Sequence, residues 1–238
     1  MSNDRSLQVL LAARNYGYTF FHSLLGNEPS LSQLDCLGDD IAIEALLIFG
    51  ADSRSEFFEA LQMFEESLDV LTRKPMNGLE ALREEYTRLF IGPQKLLAPP
   101  WESFYLDEGH SLFQRSTLSV RSFYQSHGYR PQGYPVIADD HLALEVGFLS
   151  CLARDAYDAF EQNDYHKTRN VLLASRDFLD DHLMVWMPLY QEGLAKVENK
   201  ILFPQAVRLL SEFLKRDREE LYQTLLGKTL LGHPGISL

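Results

Sequence analysis

Apolar positions recur at three- and four-residue spacing along nearly the whole chain, and that period predicts helices. Leu7, Leu10, Leu11, Tyr18, Phe21 and Leu25 form one stripe over residues 5–25, closed by Gly26. Arg14 falls inside this stripe, either as a paired or snorkelling side chain or as a ligand contact. A polar turn at Pro29 leads to a shorter helix expected over 39–50. Ser53-Arg-Ser-Glu56 has capping-box spacing, and Phe57, Leu61, Phe64, Leu68 and Leu71 supply the next stripe. Asn77 is placed to cap a helix through Leu79, Leu82, Tyr86 and Leu89, with Gly92 as its C′ residue and Pro93 as its stop. Further helices are expected from Ser116 to Gly128, over 139–161, over 165–197 with a break or kink at Pro188, and over 204–225. No convincing alternating strand pattern appears. The fold class is therefore all-α, a single helical-bundle domain of about nine helices spanning 1–238.

Two stretches depart from the helical period. Residues 91–115 are too long and proline-rich for an ordinary connection, which predicts a functional loop. Pro99 and Pro100 stiffen it, and Trp101, Phe104 and Tyr105 load it with aromatic surface that must be buried or bind something. Residues 129–138 form a second Pro/Gly-rich segment, a hinge and the best place for a domain boundary or for exchange between copies. The last ten or so residues are expected to fray.

Composition narrows the function. With 22 basic and 34 acidic residues the formal charge is −12, which argues against nucleic acid and anionic membranes and favours a basic partner. Cys36 and Cys151 lie outside any metal or redox spacing and are expected to be reduced core residues. The N-terminus lacks a secretory pattern, and no run approaches the ~18–20 apolar residues that span a bilayer, so a cytoplasmic protein is expected.

Chemistry finds little support. There is no GxSxG elbow, phosphate loop or dinucleotide glycine motif, and neither cysteine has an activating neighbour. Asp139, Asp140 and His141, with a second Asp-Asp-His at Asp180, Asp181 and His182, leave a metal-dependent hydrolase as the alternative. Glu-x-x-His pairs and HExxH are absent, and no enzyme, cofactor or resident metal is expected. The aromatic loop with Glu102, Asp107 and Glu108 beside it points instead to a peptide groove, with apolar anchors and carboxylates for basic residues.

Four motifs carry a family resemblance. Leu89-Phe90-Ile91-Gly92-Pro93, Pro99-Pro100-Trp101-x-Ser103, Leu112-Phe113 with Ser116-Thr117-Leu118-x-x-Arg121, and Asp140-His141 opening a helix resemble the TorD/DmsD family of redox-enzyme maturation chaperones. The Pro-Pro-Trp segment and the Ser-Thr-Leu helix start lie closer to its DmsD-like branch. The family's usual Glu-Pro-x-Asp-His reads Ile137-Ala138-Asp139-Asp140-His141 here, so the Asp-His pair stands without the Glu and Pro. The resemblance implies an all-helical cytoplasmic chaperone, monomeric or a domain-swapped dimer. It would bind the twin-arginine signal peptide of a molybdoenzyme catalytic subunit of the DMSO/TMAO reductase type. Cofactor insertion would be assisted and export delayed until the client matures. It also implies a peptide site of Tyr86, Leu89, Phe90, Pro100, Trp101, Asp140 and His141, with Asp140 meeting an arginine. Guanine nucleotide binding is associated with the family, but no phosphate motif here supports it.

Overall fold

The computed structural model describes residues 2–37, 40–49, 55–73, 75–92, 96–108, 114–131 and 138–226. Among them the chain forms helices and no strand. These are α1 (Ser2–Gly26), α2 (Leu31–Leu37), α3 (Asp40–Leu47), α4 (Glu56–Thr72), α5 (Pro75–Tyr86), α6 (Glu102–Leu106), α7 (Arg115–Ser126), α8 (Leu142–Glu161), α9 (Tyr165–Phe178), α10 (Met184–Ala195) and α11 (Phe203–Leu226). Two π-helical turns extend them: Thr87–Ile91 continues α5, and Leu179–Leu183 joins α9 to α10. Counting the joined pieces as one gives ten continuous helices, one more than expected.

The long helices form where the stripes lie. α1 packs along α8, α8 against α9, and α4 against α11, enclosing Leu11, Phe21, Val146, Leu149, Phe178 and Phe213 with almost no exposed surface. Removing such side chains from water is the main stabilising term of a domain this size. Arg14 inside the α1 stripe is fully buried and paired: its Nε and Nη2 donate to Asp217 of α11 at 2.6 and 3.1 Å, and Tyr18 Oη adds a third bond at 2.6 Å. The ligand-contact reading of Arg14 gives way to this internal pair.

Several local expectations shift. α2 and α6 are too short to show a period. α4 is capped by Ser55, whose side chain accepts from Phe58 N, so its start falls two residues after Ser53, which lies outside the described residues. α5 starts at Pro75, so Asn77 lies inside it; proline's missing N–H costs nothing in a first turn. Gly78 of α5 faces α4 so closely that a Cβ there would sit 2.4 Å from the Leu71 carbonyl oxygen. Gly92 has φ 90°, as a glycine after a helix end can, and its N–H closes on Thr87 O at 2.8 Å. α7 begins one residue before Ser116 and has no side-chain cap of its own; Asp107 accepts from Ser116 N at 3.0 Å instead.

Pro188 does not break its helix. The irregularity lies one turn earlier, in the π turn Leu179–Leu183. Cys36 is exposed and Cys151 half-buried, so neither is a core residue. Pro93, the Leu112-Phe113 pair, most of the 129–138 hinge and the C-terminal tail lie outside the described residues. None of the described helices is long and apolar enough to cross a membrane.

Candidate functional site

The aromatic loop and the start of α8 meet. Trp101 and His141, forty residues apart in sequence, form an isolated antiparallel bridge, with Glu102 N donating to Asp140 O at 3.0 Å and Leu142 N to Pro100 O at 2.9 Å. Their rings stand edge to face with centroids 5.0 Å apart. His141 is the N-cap of α8, and its Nδ1 accepts from Ala143 N at 3.1 Å. Burial lowers the His141 pKa to about 4, so at neutral pH the ring is uncharged and free to accept that bond.

Asp140 sits beneath this bridge with no exposed surface. Oδ2 accepts from Ser103 N at 2.8 Å, satisfying the first turn of α6, and Oδ1 accepts from Thr117 Oγ1 at 2.9 Å. Beside it Asp139 pairs with Arg121 at 2.6 Å, and Tyr124 Oη donates to the Asp139 carbonyl at 3.0 Å. The Trp-x-Ser segment, the Thr-Leu-x-x-Arg helix start and the Asp-Asp-His turn are thus one hydrogen-bonded knot. Its carboxylates face inward. Asp140 offers no accessible oxygen to an arginine arriving from outside, because both already hold internal donors.

Two of the three acidic residues that seemed candidates for a basic partner, Glu102 and Asp107, are also engaged, while Glu108 is exposed. Glu102 is buried and meets His182 Nδ1 at 3.0 Å, a contact made possible by the π turn that carries His182 inward. Asp107 caps α7. Asp180 binds Arg218 and Tyr222 Oη, while Asp181 is exposed. The residues of the hydrolase alternative therefore point to separate partners, and among the described residues no group of three or more His, Cys, Asp or Glu could hold a metal ion.

Of the remaining residues the resemblance implied, Tyr86 and Phe90 are buried, with ring centroids 5.1 Å apart and Phe203 against both. Pro100 is buried under the bridge. Leu89 lines a groove of about 970 Å³ between the outer face of α5 and the 96–98 segment. Leu79, Leu89, Ala98 and Val197 make its apolar floor, and Met76 and Leu97 stand at its edges, 68% and 76% exposed. Ala98 leads through two buried prolines to Trp101, so one wall of the groove and the bridge are consecutive in the chain.

Comparison with known proteins bears on this arrangement. Residues 52–191 match the family described as nitrate reductase delta subunit. Over 157 residues the chain is 33% identical to a probable Tat proofreading chaperone DmsD of Haemophilus influenzae, covering 63% of this chain and 70% of that protein. A chaperone protein TorD of Vibrio cholerae is 26% identical across 92% of this chain and 98% of its own length. A Tat proofreading chaperone DmsD of Salmonella typhimurium is 34% identical over 147 residues, 55% of this chain and 67% of its own. The chain belongs to the TorD/DmsD family.

The TorD/DmsD relatives are named as chaperones and not as enzymes, which agrees with the dispersed carboxylates and leaves the hydrolase alternative without support. The motifs that suggested the family lie mostly inside the knot, so their residue types answer to mutual hydrogen bonding. Sequence reasoning missed what underlies them. Glu85 of α5 is fully buried and accepts from Ile201, Leu202 and Phe203 N at 2.7, 2.8 and 3.0 Å, capping α11 from another helix. Glu145, one turn after His141, is buried too, and its Oε2 accepts from Trp186 Nε1 at 3.1 Å.

Burial, reinforced by Glu102, pushes the Glu145 carboxyl well above its ordinary range. Burial also raises Glu102, against the lowering contact with His182. A proton on Glu145 gives Oε1, which lacks a donor, a bond toward Glu102. A raised folded-state pKa means the folded protein keeps a proton that the unfolded chain releases. Its stabilising effect is complete below the ordinary value of 4.5 and is lost as pH rises through the folded value. Glu145→Gln keeps the shape and cannot ionise. It is expected to melt with the unaltered protein at pH 4 and several degrees above it at pH 8, read by calorimetry at both pH values.

Proposed function

We propose that this protein is a cytoplasmic chaperone for the twin-arginine signal peptide of a molybdoenzyme catalytic subunit of the DMSO/TMAO reductase type. It holds the leader until the client's cofactor is inserted. The observation that carries this reading is the apolar groove over Leu79, Leu89, Ala98 and Val197, one wall of which runs on in the chain to the Trp101–His141 bridge. Its apolar floor, with Met76 and Leu97 exposed at the edges, suits the unbroken apolar part of a leader. The net charge of −12 favours its basic part.

Within this reading Trp101 and His141, with the exposed Met76 and Leu97, present surface to the peptide, and Leu89 lies in the floor beneath. Tyr86 and Phe90 support the π turn that carries Leu89, while Pro100 and Asp140 fix the bridge. No residue transforms the peptide; recognition is by shape, burial and charge.

The test is isothermal titration of the intact protein with a leader peptide carrying Arg-Arg, the same peptide with Lys-Lys, and its apolar part alone. The Arg-Arg peptide is expected to bind most tightly, with the Lys-Lys form about tenfold weaker because an ammonium cannot form the planar two-bond contact of a guanidinium. Absence of binding by all three would end the chaperone reading.

A further inference from the structure

The proposed function needs anions for two arginines, and the buried Asp140 does not supply one. We propose that Glu80 and Glu84, one turn apart on the groove face of α5, receive the paired arginines of the leader. This assignment rests on the leader-binding reading above and adds to it the place and polarity of recognition.

Charge decides the location. Both glutamates are exposed, both line the groove, and neither pairs with a cation among the described residues. The two basic residues on the same wall are already committed. Arg83 donates to Pro29 O at 2.8 Å and has Glu28 at 3.8 Å, and Arg88 donates to Glu198 O and Asn199 O with Glu85 at 3.9 Å. Each arginine thus has a carboxylate of its own, and among the described residues Glu80 and Glu84 remain as the uncompensated charge of the groove.

Spacing agrees with this role. Side chains four apart on a helix stand ~5–6 Å apart at Cβ, a gap that two neighbouring arginines span with their long arms. The lining residues Met76 to Arg88 give a wall of roughly 18 Å at 1.5 Å per residue. That length takes the arginine pair at the acidic part of the wall and an apolar stretch along Leu79, Leu89 and Ala98 toward Trp101.

The experiment compares the unaltered protein, a Glu80→Gln/Glu84→Gln variant, and a control Glu66→Gln/Glu219→Gln variant whose exposed carboxylates do not line the groove. Each is titrated with the Arg-Arg and Lys-Lys peptides at two salt concentrations, and circular dichroism confirms that each is folded. The groove variant is expected to bind the Arg-Arg peptide at least tenfold more weakly, with a flatter salt dependence and little remaining preference over Lys-Lys. The control should bind like the unaltered protein. If the unaltered protein binds and the groove variant binds equally tightly, the glutamate assignment is overturned while the chaperone reading stands. An equal loss in both variants would mean that net charge and not this site attracts the peptide, which also overturns it. If the unaltered protein binds no leader, both readings fall together.

Discussion

Asp217→Ala is expected to lower the unfolding free energy by about 3–5 kcal/mol, a large part of the ~5–15 kcal/mol typical of a domain. The reason is Arg14. Its guanidinium lies on α1 with no exposed surface and donates two bonds to Asp217 on α11, while Nη1 already lacks a partner. Removing the carboxylate strands a cation among Leu11, Phe21 and Phe213, and strands the Tyr18 hydroxyl with it. The pair itself is a different matter from the loss of one member. Replacing both residues, as Arg14→Met/Asp217→Leu, is expected to cost less than Asp217→Ala alone, because no uncompensated charge remains. Urea denaturation of the two variants measures the difference; a double variant less stable than the single one would show that the ion pair is a net source of stability.

Asp140→Ala should have the second largest effect, and it acts on stability and recognition together. It leaves Ser103 N–H and Thr117 Oγ1 without acceptors where water does not reach, at about 1–3 kcal/mol for each stranded group. A fall of about 2–4 kcal/mol in stability is expected. The bridge between Trp101 and His141 then loses its support, and leader affinity should fall about tenfold even at temperatures where the variant stays folded, which is about 1.4 kcal/mol of binding. Asp140→Asn keeps one acceptor and should fall between the two. Urea denaturation with isothermal titration on the same samples checks both parts. Normal binding by a folded Asp140→Ala protein would remove the bridge from the peptide site.

These expectations give Asp140 a role different from the one the sequence suggested. An Asp-His pair at a helix start, beside aromatic residues in a protein of charge −12, is a reasonable place to look for an arginine contact. What one strand of letters could not show is that Thr117 and Ser103 converge on the same carboxylate from other elements. Arg121 does the same for Asp139. Residues from three of the four motifs, Trp101 to Ser103, Thr117 to Arg121 and Asp140-His141, are partners of one another, which is why so few of them face outward.

The groove illustrates the opposite failure. Glu80 and Glu84 sit on a helix face that sequence alone reads as an ordinary solvated surface. They become distinctive only because Leu97, Ala98 and Val197 come across from other parts of the chain, and because Arg83 and Arg88 turn away to backbone carbonyls and their own carboxylates.

The sequence by itself determined the all-helical class, the long helices and their buried stripes, and the glycine that ends the α5 extension. Those features depend on local periodicity and on backbone preferences that act over a few residues. The tertiary structure decided the rest: which carboxylates are buried and which are free, the π turns that bring Leu89 to the groove and His182 to Glu102, and the meeting of Trp101 with His141. A carboxylate's role depends on the donors around it and on its access to water, and both are set by residues tens to hundreds of positions away, beyond the reach of any local pattern.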